Sequence, residues 1–342
     1  MVKAFLARDS SFQGVFFTGV RSTGIFCRVG CPAKTPRVEQ LEFFASTSAA
    51  LSAGFRACKR CRPTECLGVP PVWLTRLLHA IDAEPETRWT DADIRAFHMD
   101  PDRVRRWFQK HRGVTFHAFM RARRLGLALT NIRGGAQVLD AALEHGYDSL
   151  SGFNQAFRDT FGANPTTAES SIVVYTARIQ TPLGPMVACA TDEALCIFEF
   201  ADRPMLATQI KRVRHHLDCL FVPTGNRIID ATAREMAEYF AGGLQRFTVP
   251  LLTPGSAFQQ SVWRALGEIP YGETRSYAEI AQKLGRPEAV RAVARANGDN
   301  RLVILIPCHR VIGSNGDLTG YGGGLWRKRR LLEIEKGSIR GQ

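Results

Sequence analysis

The spacing of apolar residues divides the chain into stretches of different predicted structure. Residues 72–168 alternate apolar positions at helical spacing with short polar breaks and contain no strand-like run, which predicts an all-helical unit. Residues 172–200 carry strand-like apolar runs around a turn, and a pair of helices is predicted to follow them. From Ser256 onward helical spacing dominates again. Near the N-terminus, a strand-like run at residues 40–44 precedes an alanine-rich, helix-permitting segment.

These stretches predict several domains. A chain of 342 residues is too long for one typical core, and Pro70 and Pro71 form a natural linker. We expect the second unit to be all-α, the third to mix strands and helices, and the fourth to be mainly helical and to hold the chemistry. The expected units are residues 1–66, 72–168, 172–250 and 256–342.

The all-helical unit contains two candidate helix-turn-helix segments, at residues 91–109 and 138–157, with a helix at 116–129 between them. The second helix of the first pair is predicted to begin at Asp100, because Asp is a good N-cap and Pro101 suits the first helical position. In the second pair, Asp148 or Ser149 has the same role. Val104, Trp107 and Phe108 are expected to face the core of this unit.

The net charge of the chain indicates the kind of partner that it binds. The formal net charge is +13 and the pI is near 9.7, which favours a polyanionic partner. No apolar run reaches membrane length, so we expect nucleic acid and no membrane, with general solubility as the alternative reason for the charge. Residues 1–66, 67–170 and 171–342 carry net charges of +6, +1 and +6. Arginines cluster within the middle segment, so this near-neutral part can still present basic surfaces.

Four of the nine cysteines have the spacing of a metal site. The N-terminal residues lack the apolar core and cleavage site of a secretory signal, so we expect thiols or metal ligands instead of disulfides. Cys27, Cys31, Cys58 and Cys61 follow C-x3-C and then C-x2-C, typical of a closed thiolate site for one Zn²⁺. A purely structural zinc cluster is the alternative.

The surroundings of these ligands indicate contact with phosphate, because they hold more cations than a structural cluster needs. The flanking cations are Arg28, Lys34, Arg37, Arg56, Lys59, Arg60 and Arg62.

A second cysteine centre is predicted near the C-terminus. The run ILIPCHRV at residues 304–311 sets Cys308 between a proline and a histidine after an apolar run, as a buried strand would deliver a thiol to a pocket floor. Cys308 is therefore the candidate nucleophile. We expect four other cysteines to be inert thiols that pack as small apolar side chains, namely Cys66, Cys189, Cys196 and Cys219.

Three parts of the chain resemble known families. RSTGIFCRVGCPAK (21–34) and AALSAGFRACKRCRP (49–63) resemble the bacterial Ada proteins, which combine alkylation repair with transcriptional control. The pattern from Gly146 to Pro165 is similar to the AraC-type DNA-binding domain of those proteins. FQQSVWRAL, IPYGETRSYAEIA, PEAVRAVARANGDN, ILIPCHRVIGSNGDLTGYGGGL and LLEIEKG, in that order, resemble the O6-alkylguanine-DNA alkyltransferases.

The resemblance implies a multidomain fold. Its parts would be a small α+β zinc domain, an all-α AraC-type double helix-turn-helix, an RNase H-like α/β domain and a helical, winged-helix-like alkyltransferase domain.

The resemblance also implies roles for residues of the C-terminal half. Cys308 would accept the methyl group, His309 would be its general base through a water molecule, and Glu335 would hold the tautomer of His309. Asn300 would support the hydrogen bonds of the site, and Tyr277 would donate to the damaged base. Arg291 would fill the space that the flipped base leaves in the duplex; a plain surface cation is the alternative.

In the N-terminal unit the resemblance implies that zinc-bound Cys27 accepts a methyl group from a DNA methylphosphotriester. Four thiolates on Zn²⁺ carry a formal charge of −2, and methylation of one sulfur reduces it to −1, which would strengthen DNA binding. In the helix-turn-helix unit, residues 101–110 and 149–159 would be recognition helices. Their candidate DNA contacts are Arg103, Arg105, Arg106, Asn154 and Gln155.

The expected function is that of a single-turnover methylated-DNA–protein-cysteine S-methyltransferase, acting on O6-methylguanine, O4-methylthymine and methylphosphotriesters and coupled to transcriptional activation. The alternative is a transcription regulator or damage-binding module without methyl transfer. Expected partners are double-stranded DNA, both alkylated and promoter, and RNA polymerase. The expected location is the bacterial cytoplasm, in association with the nucleoid.

Overall fold

The computed structural model describes residues 1–8, 12, 15–64 and 70–337 of the chain. Cys66, predicted to be an inert thiol, lies outside these residues. Among the described helices, none is both long and apolar enough to cross a bilayer.

The N-terminal unit is a four-stranded sheet with a helix beside it, and its strand order is β3-β1-β2-β4. β2 pairs antiparallel with β1 and parallel with β4. The strand predicted at residues 40–44 is confirmed as β3, and the alanine-rich segment forms α2, which Ser46 caps by accepting a hydrogen bond from Ala49 N. The elements are α1 (Val2–Leu6), β1 (Phe17–Val20), β2 (Ile25–Arg28), β3 (Leu41–Phe44), α2 (Thr47–Ser52) and β4 (Arg56–Ala57).

The second unit is all-helical, as predicted. Asp100 caps α5 with Pro101 in its first turn, and of the two candidates Ser149 is the residue that caps α8, by accepting from Gly152 N. Val104, Trp107 and Phe108 are buried in the core, also as predicted. The helices are α3 (Val72–Ala83), α4 (Asp91–Ala96), α5 (Pro101–Arg112), α6 (Phe116–Arg133), α7 (Val138–Glu144), α8 (Leu150–Phe161) and α9 (Pro165–Glu169).

The third unit is a sheet of order β7-β6-β5-β8 with helices packed on it. The strands predicted at residues 172–200 are confirmed. The helix pair predicted after them is wrong in one respect, because β8 lies between the two helices and pairs parallel with β5. Four apolar residues are too few to show a strand period beside a helix end. The elements are β5 (Ile172–Ile179), β6 (Met186–Ala190), β7 (Leu195–Phe200), α10 (Leu206–Leu217), β8 (Cys219–Val222) and α11 (Arg227–Phe240).

The fourth unit is mainly helical, as predicted, with one short parallel strand pair. Its elements are α12 (Ala257–Gly267), β9 (Arg275–Ser276), α13 (Tyr277–Lys283), α14 (Val290–Gly298), β10 (Val311–Ile312) and α15 (Leu325–Glu335).

The strand predicted to deliver Cys308 is wrong. Residues 302–306 are buried but form only isolated bridges, and Ile304 has a φ of 75°, outside the extended region. Cys308 instead begins the 3-10 helix Cys308–Arg310. Pro307 directly before it has no N–H to donate to a sheet, so a continuous ladder would be broken there.

The helix-turn-helix unit packs directly against the third unit. A Cβ on Gly126 of α6 would overlap Val222 of β8, so the glycine allows this close approach. Arg133 at the end of α6 donates to Asp192 at 2.7 Å and to the Tyr175 hydroxyl at 3.2 Å. One apolar core runs from α6 into the fourth unit.

Candidate functional site

The first site is the four-cysteine cluster of the N-terminal unit. Cys27 lies on β2, and the parallel pairing of β4 with β2 brings Cys58 beside it, with Cys58 N donating to Phe26 O at 3.0 Å. The sulfurs of Cys27, Cys31, Cys58 and Cys61 all lie within 4.8 Å of one another. Four sulfurs in this span fit the tetrahedral thiolate shell of Zn²⁺.

The electrostatics of the cluster also fit a bound cation. The hydrogen bond with Cys61 and burial raise the pKa of the Cys27 thiol, whereas the same hydrogen bond lowers the pKa of Cys61. Thiolates packed this closely repel one another unless a cation neutralises them. The donor set is therefore that of a zinc site, and these four residues would hold the metal.

The zinc cluster borders a cavity of about 480 Å³. Cys27, Cys31 and Cys58 line it together with Arg8, Lys34 and Arg37, whereas Cys61 does not. An incoming group would thus meet three of the sulfurs beside positive charge. Of the other flanking cations, Arg56, Lys59, Arg60 and Arg62 are exposed, and Arg60 donates to Pro32 O at 3.2 Å. Arg28 is buried and donates to Arg62 O at 2.6 Å, so its expected contact with phosphate does not fit the structure.

The second site surrounds Cys308, which is only 3% exposed. Burial raises the pKa of its thiol to about 11, while a hydrogen bond with Asn300 and the charge of Arg203 act to lower it. Asn300 is itself held in place, because its side chain donates to Ile306 O at 2.9 Å and accepts from Leu302 N at 3.0 Å. A thiol in this environment is almost fully protonated at neutral pH and needs a base to react.

His309 is the base closest in sequence, and its ring is fully buried. Its Nε2 lies 2.8 Å from Oε1 of Glu335. An ionised carboxylate can only accept, so Nε2 carries the proton and Nδ1 has the free lone pair. Nδ1 is buried without a hydrogen-bond partner among the described residues. The pair therefore presents one unpartnered basic nitrogen in the core of the site.

The Glu335 carboxylate at the end of α15 is fixed by several donors. Arg310 donates Nε to Oε2 at 2.8 Å and Nη2 to Oε1 at 2.9 Å, and the Tyr239 hydroxyl donates to Oε1 at 2.8 Å. Burial acts to raise the pKa of Glu335, but hydrogen bonds from His309 and Arg310 outweigh it and hold the pKa at about 2. Burial lowers the pKa of His309, against the effect of Glu335. The pair is a neutral imidazole on a permanent carboxylate.

Tyr277 lies at the start of α13, beside the glycine-rich segment at residues 320–324. Its hydroxyl is 3.9 Å from the position that a Cβ on Gly320 would take. Burial raises the pKa of Tyr277, and the charge of Cys308 acts in the same direction. The structure thus brings Tyr277, Asn300, Cys308, His309 and Glu335 to one place, while Cys27 belongs to the other site. Arg291 lies exposed near the start of α14.

The predicted contacts of the helix-turn-helix unit differ in their surroundings. The Arg103 guanidinium lies 4.1 Å from the Trp73 ring centroid, and Arg106 is exposed. Arg105 pairs with Asp91 and Asp102 of its own unit. Asn154 is half-buried on α8, and Gln155 donates to Asp159 at 2.8 Å and accepts from Arg158 at 3.0 Å.

Sequence reasoning missed several residues of the second site. Arg310 and Tyr239 fix Glu335, and Arg203 pairs with buried Glu199 while donating to Asn300 O at 3.1 Å. Lys328 is fully buried and donates to Val311 O and Thr319 O. Only Arg310 had a sequence signal, since it directly follows His309; the others come from distant elements that no spacing connects.

The predicted inert thiols are confirmed as buried. Burial raises the pKa of Cys189 to about 12 and that of Cys219 to about 11, and Cys196 is buried with them in the core of the third unit. None of the three belongs to the four-sulfur cluster.

The fold and its two sites define a class: multidomain proteins that join a thiolate zinc centre, a double helix-turn-helix and a buried Cys–His–Glu site. Family models match residues 1–64 (metal binding domain of Ada), 94–170 (helix-turn-helix domain) and 257–337 (6-O-methylguanine DNA methyltransferase, DNA binding domain). The chain is 34% identical over 342 residues to the bifunctional transcriptional activator/DNA repair enzyme Ada of Escherichia coli (strain K12), covering 97% of this chain and 95% of that protein. The chain therefore belongs to the Ada family.

Two further similarities cover the C-terminal half. The methylated-DNA–protein-cysteine methyltransferase of Methanosarcina barkeri is 42% identical over 162 residues, which is 47% of this chain and 97% of that protein. The crystal structure of Mycobacterium tuberculosis OGT in complex with DNA is 41% identical, with a TM-score of 0.41, over 48% of this chain and 94% of that chain.

Proposed function

We propose that the protein repairs alkylated DNA by two irreversible S-methyl transfers, one to Cys308 and one to Cys27, and that it regulates transcription. The observation that carries the first transfer is the buried Cys308 beside His309, whose Nε2 is pinned by Glu335 and whose Nδ1 has no partner among the described residues. Membership of the Ada family supports the same activity. The substrates would be O6-methylguanine and O4-methylthymine in double-stranded DNA.

In the first transfer, His309 Nδ1 takes the Cys308 proton through a water molecule as the sulfur attacks the methyl carbon. The S–C bond forms, the C–O6 bond breaks, and its electron pair leaves with guanine as an anion. Tyr277 donates a proton to that anion, and the proton taken by His309 restores the tyrosine through solvent. The product thioether has no easy leaving group, so each sulfur reacts once.

Geometry restricts how the base can reach Cys308. O6 lies inside the base stack, so the nucleotide must be flipped out. The exposed Arg291 on α14 would fill the vacated space, and the glycines at 320–324 would let the main chain lie close to the flipped base. Asn300 would orient the thiol.

In the second transfer, Cys27 attacks the methyl carbon of a methylphosphotriester, and the C–O bond breaks to leave an ordinary phosphodiester anion. Bound Zn²⁺ would keep the cysteine sulfurs anionic at neutral pH. Cys27 borders the cavity that Arg8, Lys34 and Arg37 also line, and these cations would hold the phosphate. Arg56, Lys59 and Arg60 would bind the neighbouring backbone.

The regulatory role rests on the helix-turn-helix unit. Its recognition helices α5 and α8 would bind promoter DNA through Arg103, Arg105, Arg106, Asn154 and Gln155, with RNA polymerase as a further partner. Methylation of Cys27 removes one negative charge from a surface that faces phosphate, so promoter affinity should rise. Equal affinity of methylated and unmethylated protein at fixed salt would reject this switch.

We also propose a fold for each unit of the chain. We assign domains to residues 1–66, 72–168, 172–250 and 256–342, the third RNase H-like and the fourth winged-helix-like. The proposed site of action is the bacterial nucleoid in the cytoplasm.

Peptide masses test the proposal. After incubation with duplex that carries O6-methylguanine, the peptide containing Cys308 should gain one methyl mass. After incubation with methylphosphotriester DNA, the peptide containing Cys27 should gain it. An unchanged Cys308 peptide would favour the alternative, a regulator without methyl transfer. An unchanged Cys27 peptide would leave the zinc cluster a structural role.

A further inference from the structure

A cavity of about 670 Å³ lies between the helix-turn-helix unit and the third unit, away from both cysteine centres. Arg112 at the end of α5 and Phe119 and Arg123 of α6 line one side of it. Arg178 of β5 and Phe221 of β8 line the other. The volume is within the range of small-molecule sites, and such sites favour domain interfaces.

The charges around this cavity do not balance. Among the described residues, its lining contains five arginines against two carboxylates, Asp82 and Asp159. Asp82 pairs with Arg123 at 2.8 Å, and Asp159 accepts from Gln155. The arginines are Arg112, Arg121, Arg123, Arg178 and Arg214. An excess of positive charge at a partly enclosed site is expected to attract an anion.

Two of these guanidinium groups have unused donors. Arg123 is only 9% exposed, and its Nε has no hydrogen-bond partner among the described residues. The Nε of Arg112 is likewise buried and unpartnered there, and no described carboxylate forms an ion pair with it. Burial, together with the charges of Arg178 and Arg123, lowers the pKa of Arg112 to about 9. Buried unsatisfied donors of this kind are uncommon and indicate a missing partner.

The rest of the lining is apolar and partly aromatic. Phe119, Phe161 and Phe221 border the cavity with Leu206 and Ile210. The guanidinium of Arg112 lies 5.2 Å from the Phe119 ring centroid, so cation and ring are adjacent. A ligand that combines an anionic group with a planar, apolar group would match both parts of this lining.

We propose that this cavity binds a nucleotide. The phosphates would accept from Arg112, Arg123 and Arg178, because guanidinium groups bind phosphate in a bidentate manner. The base would pack on Phe119 and Phe161. A multiply charged phosphate balances the three excess cations better than a single carboxylate would. Since residues from both units contact it, the ligand would also stabilise the docked arrangement.

Calorimetric titration of the full-length protein with ADP, adenosine and inorganic phosphate tests the site. We expect ADP to bind, phosphate to bind more weakly, and adenosine to give no measurable heat. Arg112→Ala should weaken ADP binding about tenfold or more by removing a charged donor. Ala118→Phe, at an exposed position of α6 that lines the cavity, narrows the cavity without removing a charge and should weaken ADP binding comparably.

The matched control is Arg234→Ala, which removes an exposed cation of α11 outside the cavity and should change ADP affinity less than about twofold. Circular dichroism establishes that each variant is folded. Absence of ADP binding at millimolar concentration, or equal ADP affinity in Ala118→Phe and wild type, overturns the proposal. Loss of short-duplex binding in Arg112→Ala without any ADP binding would also overturn it, and would assign these arginines to DNA.

Discussion

The reactivity of Cys308 depends on its neighbours, because its own environment opposes it. Burial raises the pKa of the thiol to about 11, so the thiolate is scarce at neutral pH. His309 lies next in the chain and keeps its basic Nδ1 unprotonated, since burial lowers its pKa. Glu335 orients the ring and is itself locked by Arg310 and Tyr239. The proposed nucleophile is therefore activated by the base beside it, because its own thiol pKa is too high.

Glu335→Gln tests this arrangement. The amide keeps the shape of the side chain but loses the charge that fixes the tautomer of His309. We expect the single-turnover rate with O6-methylguanine duplex to fall by roughly 100-fold or more, as for other losses of acid–base catalysis. Glu333→Gln on the same helix is the control, because Glu333 is partly exposed and pairs only with Arg330 among the described residues. Equal rates for the two variants would remove Glu335 from the mechanism.

The pH dependence of methyl transfer follows from the direction of the His309 shift. A lowered pKa means that the neutral, basic form persists below the ordinary histidine pKa of about 6.5. The transfer rate should therefore stay nearly constant as pH falls from about 8 to about 6.5, and should decline only below that. Rapid-quench measurements on folded protein check this. A rate that already halves between pH 8 and 7 would contradict a neutral buried imidazole.

At the scale of elements, the helices were predictable where a cap or a long period marked them. Asp100 and Pro101 identify the start of α5, and the apolar period of α6 identifies residues 116–129, four residues short of its end at Arg133. The strand β8 was not predictable, since four residues show no period and its partner β5 lies more than forty positions away. The irregular backbone of residues 302–306 before Cys308 was also not predictable, because apolar composition alone does not indicate the positive φ of Ile304.

The close contact of α6 with β8 gives a test of docking. Gly126→Ala improves helix propensity by about 1 kcal/mol, but its methyl group would overlap Val222. We expect a net destabilisation of about 1–2 kcal/mol, seen as a lower thermal midpoint of the full-length protein. Gly267→Ala is the control: no heavy atom of a neighbouring side chain or distant backbone lies within 4 Å of the added methyl group in the described structure, so stability should not fall. A stabilised Gly126→Ala variant would show that the two units do not pack as described.

At the scale of the whole molecule, the two cysteine centres are built independently. The zinc cluster depends on a small sheet with its own aromatic core, while Cys308 is part of the large core that runs through the third and fourth units. The ligand spacing was fully readable from the sequence, because all four cysteines are close in the chain. The second site was readable only for Cys308 and His309 without the family resemblance, since Glu335, Asn300 and Tyr277 come from separate elements.

Removal of zinc should therefore separate the two activities. A strong chelator, or Cys58→Ala, should abolish transfer to Cys27 and disorder the N-terminal unit, because small thiolate domains depend on the metal for folding. Transfer to Cys308 should change less than about twofold. Cys196→Ala, which removes a buried thiol outside the cluster, controls for general loss of a cysteine. Parallel loss of both transfers on zinc removal would contradict independent centres.

The central claim is that the Cys308 sulfur itself takes the methyl group from guanine, and Cys308→Ser measures it most directly. With duplex carrying isotopically labelled O6-methylguanine, the serine variant should leave all label on the DNA, while transfer from a methylphosphotriester to Cys27 continues at the wild-type rate. Label that still moves from guanine to the protein in the Cys308→Ser variant would contradict the claim.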